Sequence, residues 1–270
     1  MRRALIVCVL FALACREKPA AEAARPSILL VTLDTTRADA MGANTPAFEA
    51  LAARGQRFTS AYATVPQTLP SHASMMTGLY PAGHGVHENA RFLSESHPLL
   101  AEKLKGAGYA TAAFVSAFAV ARRFGLGRGF DVYDEDFGAG LAERNAKATT
   151  DRAIAHLQSA SGPQFLWVHY YDPHFPYLHG GYAGEVAFMD QQLGRLVQAF
   201  EQRAPGPHGI IVVADHGEGL GDHGEDQHGN LLYQSTMHVP FVIVGPGVVP
   251  GTNATPVSTR RVFHTVMRWA

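Results

Sequence analysis

The chain has 270 residues, of which 47% are hydrophobic, and its 22 basic and 23 acidic residues nearly cancel. That length and apolar content suffice for one sizeable core and predict a single large α/β domain. The near-zero net charge, with no basic run interleaved with aromatic residues, argues against nucleic acid as a partner.

Residues 1–15 have the pattern of a bacterial lipoprotein signal. Arg2-Arg3 precedes an apolar run that is too short to span a bilayer, and Ala12-Leu13-Ala14 forms a small-x-small cleavage pattern with Cys15 next. We expect a lipidated Cys15 and a tether over residues 16–26, which places the protein at the cell envelope, in the periplasm or on the outer membrane. The contact with the membrane would then be through the lipid anchor only. An ordinary secretory signal and a secreted protein are the alternative.

Both cysteines of the chain, Cys8 and Cys15, lie in that segment. The predicted domain, residues 27–270, therefore has no disulfide, no thiolate metal site and no cysteine nucleophile.

Within the domain, short apolar runs alternate with helical patterns, which predicts βαβ units and a mostly parallel, buried sheet. Strands are predicted over residues 27–33, 110–115, 165–170, 210–214 and 240–244. Helices are predicted from Pro46 to Gly55, from Pro98 to Gly106 and over residues 185–202. A last helical pattern starts at Val262 and the sequence stops inside it, so we expect a truncated C-terminal part.

Acidic residues and histidines follow three of the predicted strands. Asp34 follows the first strand, Asp172 and His174 follow the third, and Asp215-His216 follows the fourth. Because ligands of open parallel sheets bind at the carboxyl ends of the strands, we expect these side chains to converge. A single Asp at a strand end is an ordinary turn former. Three together, two of them with a histidine, favour a metal site.

Residues 64–74, TVPQTLPSHAS, begin another predicted helix, over residues 71–77. Pro70 is favourable in the first turn, where free N–H groups and the positive end of the helix dipole can receive an anion. Local rules do not choose between Thr68 and Ser71, because each fits either a plain N-cap or a reactive hydroxyl.

Several long motifs in a fixed order resemble the sulfatase-like group of the alkaline phosphatase superfamily. The similarity runs from Ile28 to Met267, and its markers include LLVTLDTTRAD (29–39), TLPSHASMMTGLYPAGHGV (68–86), HYYDPHFPY (169–177) and ADHGEGLGDHGEDQHGNLLYQSTMHVPFVIVGPG (214–247). The resemblance implies an alkaline phosphatase-like three-layer sandwich, an α/β fold with a mostly parallel central sheet and helices on both faces.

The resemblance also implies a metal centre. Asp34, Asp215 and His216 match the family's metal ligands, and Thr68 matches the nucleophile, which is itself the fourth ligand. Two carboxylates, a hydroxyl and an imidazole suit Mn²⁺, Zn²⁺ or Mg²⁺ better than Ca²⁺, which prefers an all-oxygen cage. We expect one divalent metal ion. A second set of ligands from Asp172, His174 and His228 is the alternative, although their spacing does not match the two-zinc members well.

Three histidines match catalytic positions of the family. His72 stands where Arg usually lies behind the nucleophile, and His174 matches the His of the H-x-P segment. His228 matches a Lys or His that binds ester oxygens or assists the leaving group. On this basis His174 or His228 protonates the leaving oxygen. The acidic residues around His228 are interpreted as a solvated loop: Glu218, Asp222, Glu225 and Asp226.

The chain also departs from the family pattern. Sulfatases of the family carry a Cys or Ser that is converted to formylglycine, and Thr68 cannot give the same aldehyde. Thr35 replaces the second Asp of the family's Asp-Asp start, and Ser116-Ala117-Phe118 replaces its Lys-x-His motif. The remaining set resembles superfamily members with a Thr nucleophile, which cleave or transfer phosphoesters.

We therefore expect a metal-dependent hydrolase that cleaves sulfate or phosphate esters of small molecules or glycans through Thr68, without formylglycine. The alternatives are a phosphoester head-group transferase and a truncated, inactive sulfatase-like binding lipoprotein.

Overall fold

A computed structural model describes residues 25–204 and 206–270 of the chain. The predicted signal segment, residues 1–15, and all but the last two residues of the predicted tether lie outside the described residues. The predicted domain, apart from residue 205, lies within them.

The secondary structure alternates between strands and helices. The strands are β1 (Ser27–Leu33), β2 (Gln56–Phe58), β3 (Ala61–Tyr62), β4 (Ala110–Val115), β5 (Val132–Asp134), β6 (Gln164–Tyr170), β7 (His208–Ala214), β8 (Phe241–Val244), β9 (Gly251–Asn253) and β10 (Val257–Ser258). The helices are α1 (Pro46–Arg54), α2 (Thr68–Thr77), α3 (Pro81–His84), α4 (Leu100–Gly106), α5 (Ala146–Ser159), α6 (Gly181–Arg203), α7 (Gln234–Met237) and α8 (Arg261–Trp269).

Eight strands form one sheet in the order β5-β4-β6-β1-β7-β8-β2-β9, and β3 pairs with β10 separately. The five strands from β5 to β7 are parallel, whereas β8 is antiparallel to both β7 and β2. The central strands β6 and β1 are buried along their whole length, as expected for continuous apolar runs covered on both faces. The prediction of a mostly parallel, buried sheet is confirmed.

The helices form two packed groups, in which α1 and α5 contact α6, while α2 contacts α4 and α8. The sheet lies between helices, which confirms the predicted α/β fold with a large central sheet. Among the described residues, no helix combines the length and the apolar character that a membrane crossing requires.

The predicted strand bounds agree closely with the structure. β1 and β4 have the predicted limits, β6 starts one residue earlier, β7 two residues earlier, and β8 one residue later. The sequence analysis did not predict α5 or the short strands β2, β3, β5, β9 and β10. Strands of two or three residues are too short to show a periodic pattern of apolar residues in the sequence.

Helix α2 begins earlier than the sequence indicated. It starts at Thr68 rather than at residue 71, after an extended Gln67, and ends at Thr77, followed by Gly78, whose φ of 75° is left-handed. Pro70 is therefore the third residue of the helix, which is tolerated because the first four N–H groups have no partner within a helix. All ten residues of α2 are buried.

Candidate metal centre and active site

The backbone of adjacent strands places the first two carboxylates at one edge of the sheet. Asp34 N–H donates to the Tyr170 carbonyl at 2.9 Å, and Asp215 N–H donates to the Leu33 carbonyl at 3.2 Å. The sheet pairing thus continues one residue past β1 and β7. Both carboxylates leave the sheet at the ends of neighbouring parallel strands.

The turn after Asp34 is held in an unusual conformation. Thr35 has a φ of 47°, which is strained for a β-branched residue. Tyr182 of α6 fixes this turn, since its hydroxyl donates to the Thr35 carbonyl at 2.8 Å and accepts from Arg37 N–H at 2.9 Å. The turn at the edge of the site is therefore held by a side chain from a distant helix.

Asp34, Asp215 and His216 form a compact group of possible metal ligands. One ligand atom from each lies within 4.8 Å of the other two, and all three residues are fully buried. His216 Nε2 lies 4.0 Å from Asp34 Oδ1 and 3.5 Å from Asp215 Oδ2. His216 Nδ1 lies 2.9 Å from the Gly217 carbonyl, which only accepts, so Nδ1 carries the proton. The lone pair of Nε2 is then free for a metal ion.

Three carboxylate oxygens in this group have no hydrogen-bond partner: both oxygens of Asp34 and Oδ2 of Asp215. Burial, followed by the charge of Asp215, raises the pKa of Asp34 well above its usual range, and burial does the same for the pKa of Asp215. Unpaired buried carboxylates are costly, and a bound cation offsets that cost. The residues present therefore fit a divalent metal ion, as the sequence predicted.

Thr68 is the hydroxyl that reaches this group. It is the first residue of α2, and its Oγ1 lies 3.3 Å from His216 Nε2. Ser71, one helical turn further on, donates its hydroxyl proton to the Asp215 carbonyl at 2.7 Å. Ser71 is thus engaged with the backbone, and only Thr68 of the two candidates lies at the ligand atoms.

The start of α2 offers few free N–H groups, contrary to the sequence-based expectation of an anion site there. Leu69 N–H donates to Asn89 Oδ1 at 2.8 Å, and Ser71 N–H donates to the Gln67 carbonyl. Pro70 has no N–H. Three of the first four residues of α2 therefore have no free N–H group to offer an anion.

His72 lies behind Thr68 and faces the protein interior. Its Nδ1 donates to the Thr68 carbonyl at 2.7 Å and lies 3.5 Å from Asp215 Oδ2. Complete burial lowers the pKa of His72 to about 4, so its ring is neutral at neutral pH. His72 therefore does not bring the positive charge that Arg supplies at the matching family position.

His228 and His174 extend the site outward from His216. The ring centroids of His216 and His228 are 4.4 Å apart, and those of His228 and His174 are 5.2 Å apart. His174 also stacks on Tyr171 at 4.3 Å, and burial lowers its pKa. The structure thus places His228 next to the metal ligand His216, and His174 next to His228.

Glu218 contradicts the interpretation of its loop as solvated. It is fully buried, and His228 Nδ1 donates to its Oε1 at 3.0 Å, which leaves Nε2 of His228 free to exchange a proton. Glu225 is buried as well, and its Oε1 accepts from the N–H groups of Asn230 and Leu231. The other two acidic residues of the loop, Asp222 and Asp226, are exposed as predicted.

Asp172 does not join the metal ligands. Its two oxygens accept from Ala146 N–H at 3.0 and 2.8 Å at the start of α5, and burial raises its pKa to about 7. Among the described residues, the grouping of possible ligands contains only Asp34, Asp215 and His216. A second set built on Asp172 is therefore not assembled.

His169 is a site residue that the sequence analysis missed. It lies fully buried in β6, and its Nε2 is 3.6 Å from Asp34 Oδ2. The available signal was a histidine within an otherwise apolar strand, two residues after Trp167 and therefore on the same face of the sheet.

A cleft of about 460 Å³ lies beside the outer part of the site, and His174 and Tyr171 are among its lining residues. The rest of its wall is mixed, with apolar Phe137 and Leu178 and acidic Glu143. The cleft offers room for the organic part of a substrate next to the two outer histidines.

Comparison with known proteins identifies the family of this chain. The sequence profile of the family described as Sulfatase matches residues 26–270. The choline-sulfatase of Rhizobium meliloti (strain 1021) is 24% identical over an alignment of 345 positions, which covers 90% of this chain and 67% of that protein. The chain thus spans about two thirds of the length of this relative.

Solved structures share the fold. The phosphonate monoester hydrolase of Agrobacterium radiobacter has a TM-score of 0.73 and 20% identity, covering 91% of this chain and 74% of the other. A structure from work on the metabolism of multiple glycosaminoglycans by Bacteroides thetaiotaomicron has a TM-score of 0.76 and 19% identity, covering 90% and 72%.

Proposed function

The chain belongs to the sulfatase family, and on that premise we propose that it hydrolyses sulfate or phosphate esters with Thr68 as the nucleophile and without formylglycine. One observation carries this proposal. The Thr68 hydroxyl lies 3.3 Å from His216 Nε2, beside buried carboxylate oxygens that have no other partner. A divalent ion held by Asp34, Asp215, His216 and Thr68 would supply positive charge that favours an ionised hydroxyl and offsets the charge of the ester.

The chain's own residues then account for both steps of hydrolysis. Thr68 Oγ1 loses its proton to solvent and forms a bond to the sulfur or phosphorus atom while the bond to the leaving oxygen breaks. His228, oriented by Glu218, takes up a proton at Nε2 and donates it to the leaving oxygen, with His174 as the neighbouring candidate. Water then hydrolyses the Thr68 ester, which releases sulfate or phosphate and restores the hydroxyl.

Two facts favour phosphoesters among the possible substrates, without removing sulfate esters. Thr68 cannot form the aldehyde on which the formylglycine enzymes depend, and a phosphonate monoester hydrolase is among the structures that share the fold. The glycosaminoglycan context of another such structure supports a glycan ester as one substrate class.

Paired substrates test the proposal. The purified chain is assayed with an aryl sulfate and the matching aryl phosphate, and its bound metal is measured by elemental analysis. We expect Thr68→Ala to reduce turnover to the background rate and Thr68→Ser to retain part of it. Thr77→Ala, at the far end of the same helix, is the control and should remain active. Full activity of Thr68→Ala would refute the role of Thr68.

The same assay separates the alternatives. If added alcohols raised turnover and became the main phosphorylated product, the chain would be a head-group transferase. A chain that binds no metal and turns over no ester would be a binding lipoprotein.

We also propose that the protein is anchored to the membrane through Cys15. Cys15→Ala should then move it from the membrane fraction to the soluble fraction.

A further inference from the structure

The cleft beside His174 is lined by acidic and basic residues that differ in their contacts. Apart from histidines, the residues with ionisable acidic or basic side chains in its wall are Glu143, Arg144, Asp172 and Glu185. Arg144 forms an ion pair with Asp134, and both oxygens of Asp172 accept from Ala146 N–H. Glu185 accepts from His179 N–H at 2.7 Å and lies 2.6 Å from Nδ1 of the same residue. These three side chains are thus already engaged.

The carboxylate of Glu143 is not engaged in this way. Its side chain is exposed at the cleft, and within residues 25–204 and 206–270 it has neither a hydrogen bond nor an ion pair. Partial burial raises the pKa of Glu143 above its usual range. Because the other charged groups of the wall are paired, the cleft presents an uncompensated negative charge at Glu143.

Tyr171 links this carboxylate to the reaction centre. It directly follows β6 and stacks on His174, with ring centroids 4.3 Å apart. Burial, followed by the charges of Asp34 and Glu143, raises the pKa of Tyr171 above its usual range. One aromatic ring therefore lies within electrostatic reach of both a metal ligand and the cleft carboxylate. A group that binds at Glu143 can belong to the same molecule as an ester held at the metal ligands.

The remaining walls of the cleft are mainly aromatic and apolar. Phe137, Pro176 and Leu178 line it together with Tyr171 and His174. Burial lowers the pKa of His174, so at neutral pH its ring adds an aromatic face and no positive charge. Aromatic faces and a carboxylate both attract an organic cation, and apolar walls favour a cation with an apolar body. A sugar ring would instead place its hydroxyl groups against walls that offer few hydrogen bonds.

We propose that Glu143 determines specificity by binding an ammonium group on the leaving alcohol of the ester, so that the preferred substrates are esters of apolar amino alcohols or aminoalkyl phenols. This inference rests on the proposed hydrolysis at Thr68. Such a substrate is complementary to the site at both ends, with its anionic ester at the metal ligands and its cation at Glu143. The same carboxylate selects against esters whose leaving alcohol is itself anionic.

Two esters of equal size test the proposal. 4-(Aminomethyl)phenyl esters carry an ammonium group where 4-ethylphenyl esters carry a methyl group. Both are made as phosphates and as sulfates, and the form with the higher turnover is used at neutral pH. The preference is the ratio of kcat/KM for the cationic ester to that for the neutral ester. Comparing this ratio between variants cancels the unequal reactivity of the two phenols.

The preference should be about 5- to 10-fold larger in wild type than in Glu143→Gln, since the substitution removes the charge at nearly constant size. Glu95→Gln removes an exposed carboxylate outside the cleft and should match wild type. Equal preferences in wild type and Glu143→Gln would overturn the inference and leave the proposed hydrolysis standing. A preference for glucosamine 6-phosphate over glucose 6-phosphate as large as that in the aryl pair would overturn the assignment of an apolar body.

Binding of the cationic product gives a readout that does not depend on turnover. Calorimetry should show that 4-(aminomethyl)phenol binds wild type more tightly than Glu143→Gln. If neither ester were hydrolysed and the product still bound in a way that required Glu143, the proposed function would fail and the cation site would stand. Equal product binding by both chains, without turnover, would overturn both.

Discussion

Asp34→Asn separates the energetic cost of the buried carboxylates from the benefit of the ion. Ligand oxygens of Asp34 and Asp215 lie within 4.8 Å of each other, with no positive side chain between them in the ligand group. Two unit charges at this separation repel by about 3 kcal/mol at an effective dielectric constant of about 20. In the metal-free protein, the neutral amide that Asp34→Asn introduces would remove this repulsion.

The sign of the pH dependence follows from the raised pKa values. In the metal-free folded state both carboxyl groups hold protons to higher pH than they do when unfolded. These two groups therefore do not lower the free energy of unfolding near pH 4, and they lower it increasingly as pH rises toward their folded-state pKa values. Asp34→Asn should raise the melting temperature of the metal-free chain at pH 8 by about 6–10 °C and have little effect near pH 4.

The assay is thermal unfolding of chelator-treated protein from pH 4 to 9, with and without added Zn²⁺. With Zn²⁺ the order should reverse, because wild type gains binding energy that Asp34→Asn loses. Asp226→Asn removes an exposed charge from the loop that follows His216. It should leave the melting temperatures unchanged both with and without Zn²⁺. A metal-free Asp34→Asn chain that melts at or below wild type at pH 8 would refute the reasoning.

Three further predictions concern neighbouring contacts. Glu218→Gln weakens the orientation of His228 and should lower kcat by about 10- to 100-fold with little change in KM; an unchanged pH–rate profile would contradict this role. The pKa of Asp172 is raised to about 7, so the free energy of unfolding of wild type should fall by up to about 4 kcal/mol between pH 4 and 7. Asp172→Asn should remove this dependence on pH in urea unfolding. The same dependence on pH in wild type and Asp172→Asn would contradict the prediction. Gly217→Ala places a Cβ 2.0 Å from the Ser235 carbonyl and should cost at least about 3 kcal/mol, whereas Gly106→Ala, which meets nothing within 4 Å, should be neutral or stabilising.

The fold and the inner ligands could be predicted because they depend on local patterns. Continuous apolar runs marked β1 and β7, and the residues after them, Asp34 and Asp215-His216, had to emerge at the same edge of a parallel sheet. Thr68 required more, because local rules left Ser71 equally suitable. The choice came from the family motifs, and the hydrogen bond from Ser71 to the Asp215 carbonyl agrees with it.

The contacts that escaped prediction depend on register and on loop closure. His169 lies opposite Thr32 in the pairing of β1 with β6, and sheet register cannot be derived from either strand alone. Glu218 has the sequence pattern of a charged surface loop, yet the chain folds back so that His228 covers it. Asp172 follows its strand just as the other strand-end carboxylates do, and instead caps a helix that had not been predicted.

The neutral ring of His72 makes the binding of the ion and of the ester interdependent. Where the family resemblance predicts an Arg, this site has an uncharged imidazole, which lies 3.5 Å from the Asp215 carboxylate. In the proposed enzyme, the metal-free pocket repels an anionic substrate, so the ester gains affinity only once the ion is present. Because such coupling is reciprocal, a bound ester must raise the affinity of the site for the ion by the same factor. The activity of the proposed enzyme would therefore follow the free concentration of the ion more steeply when the ester is scarce than when it is abundant.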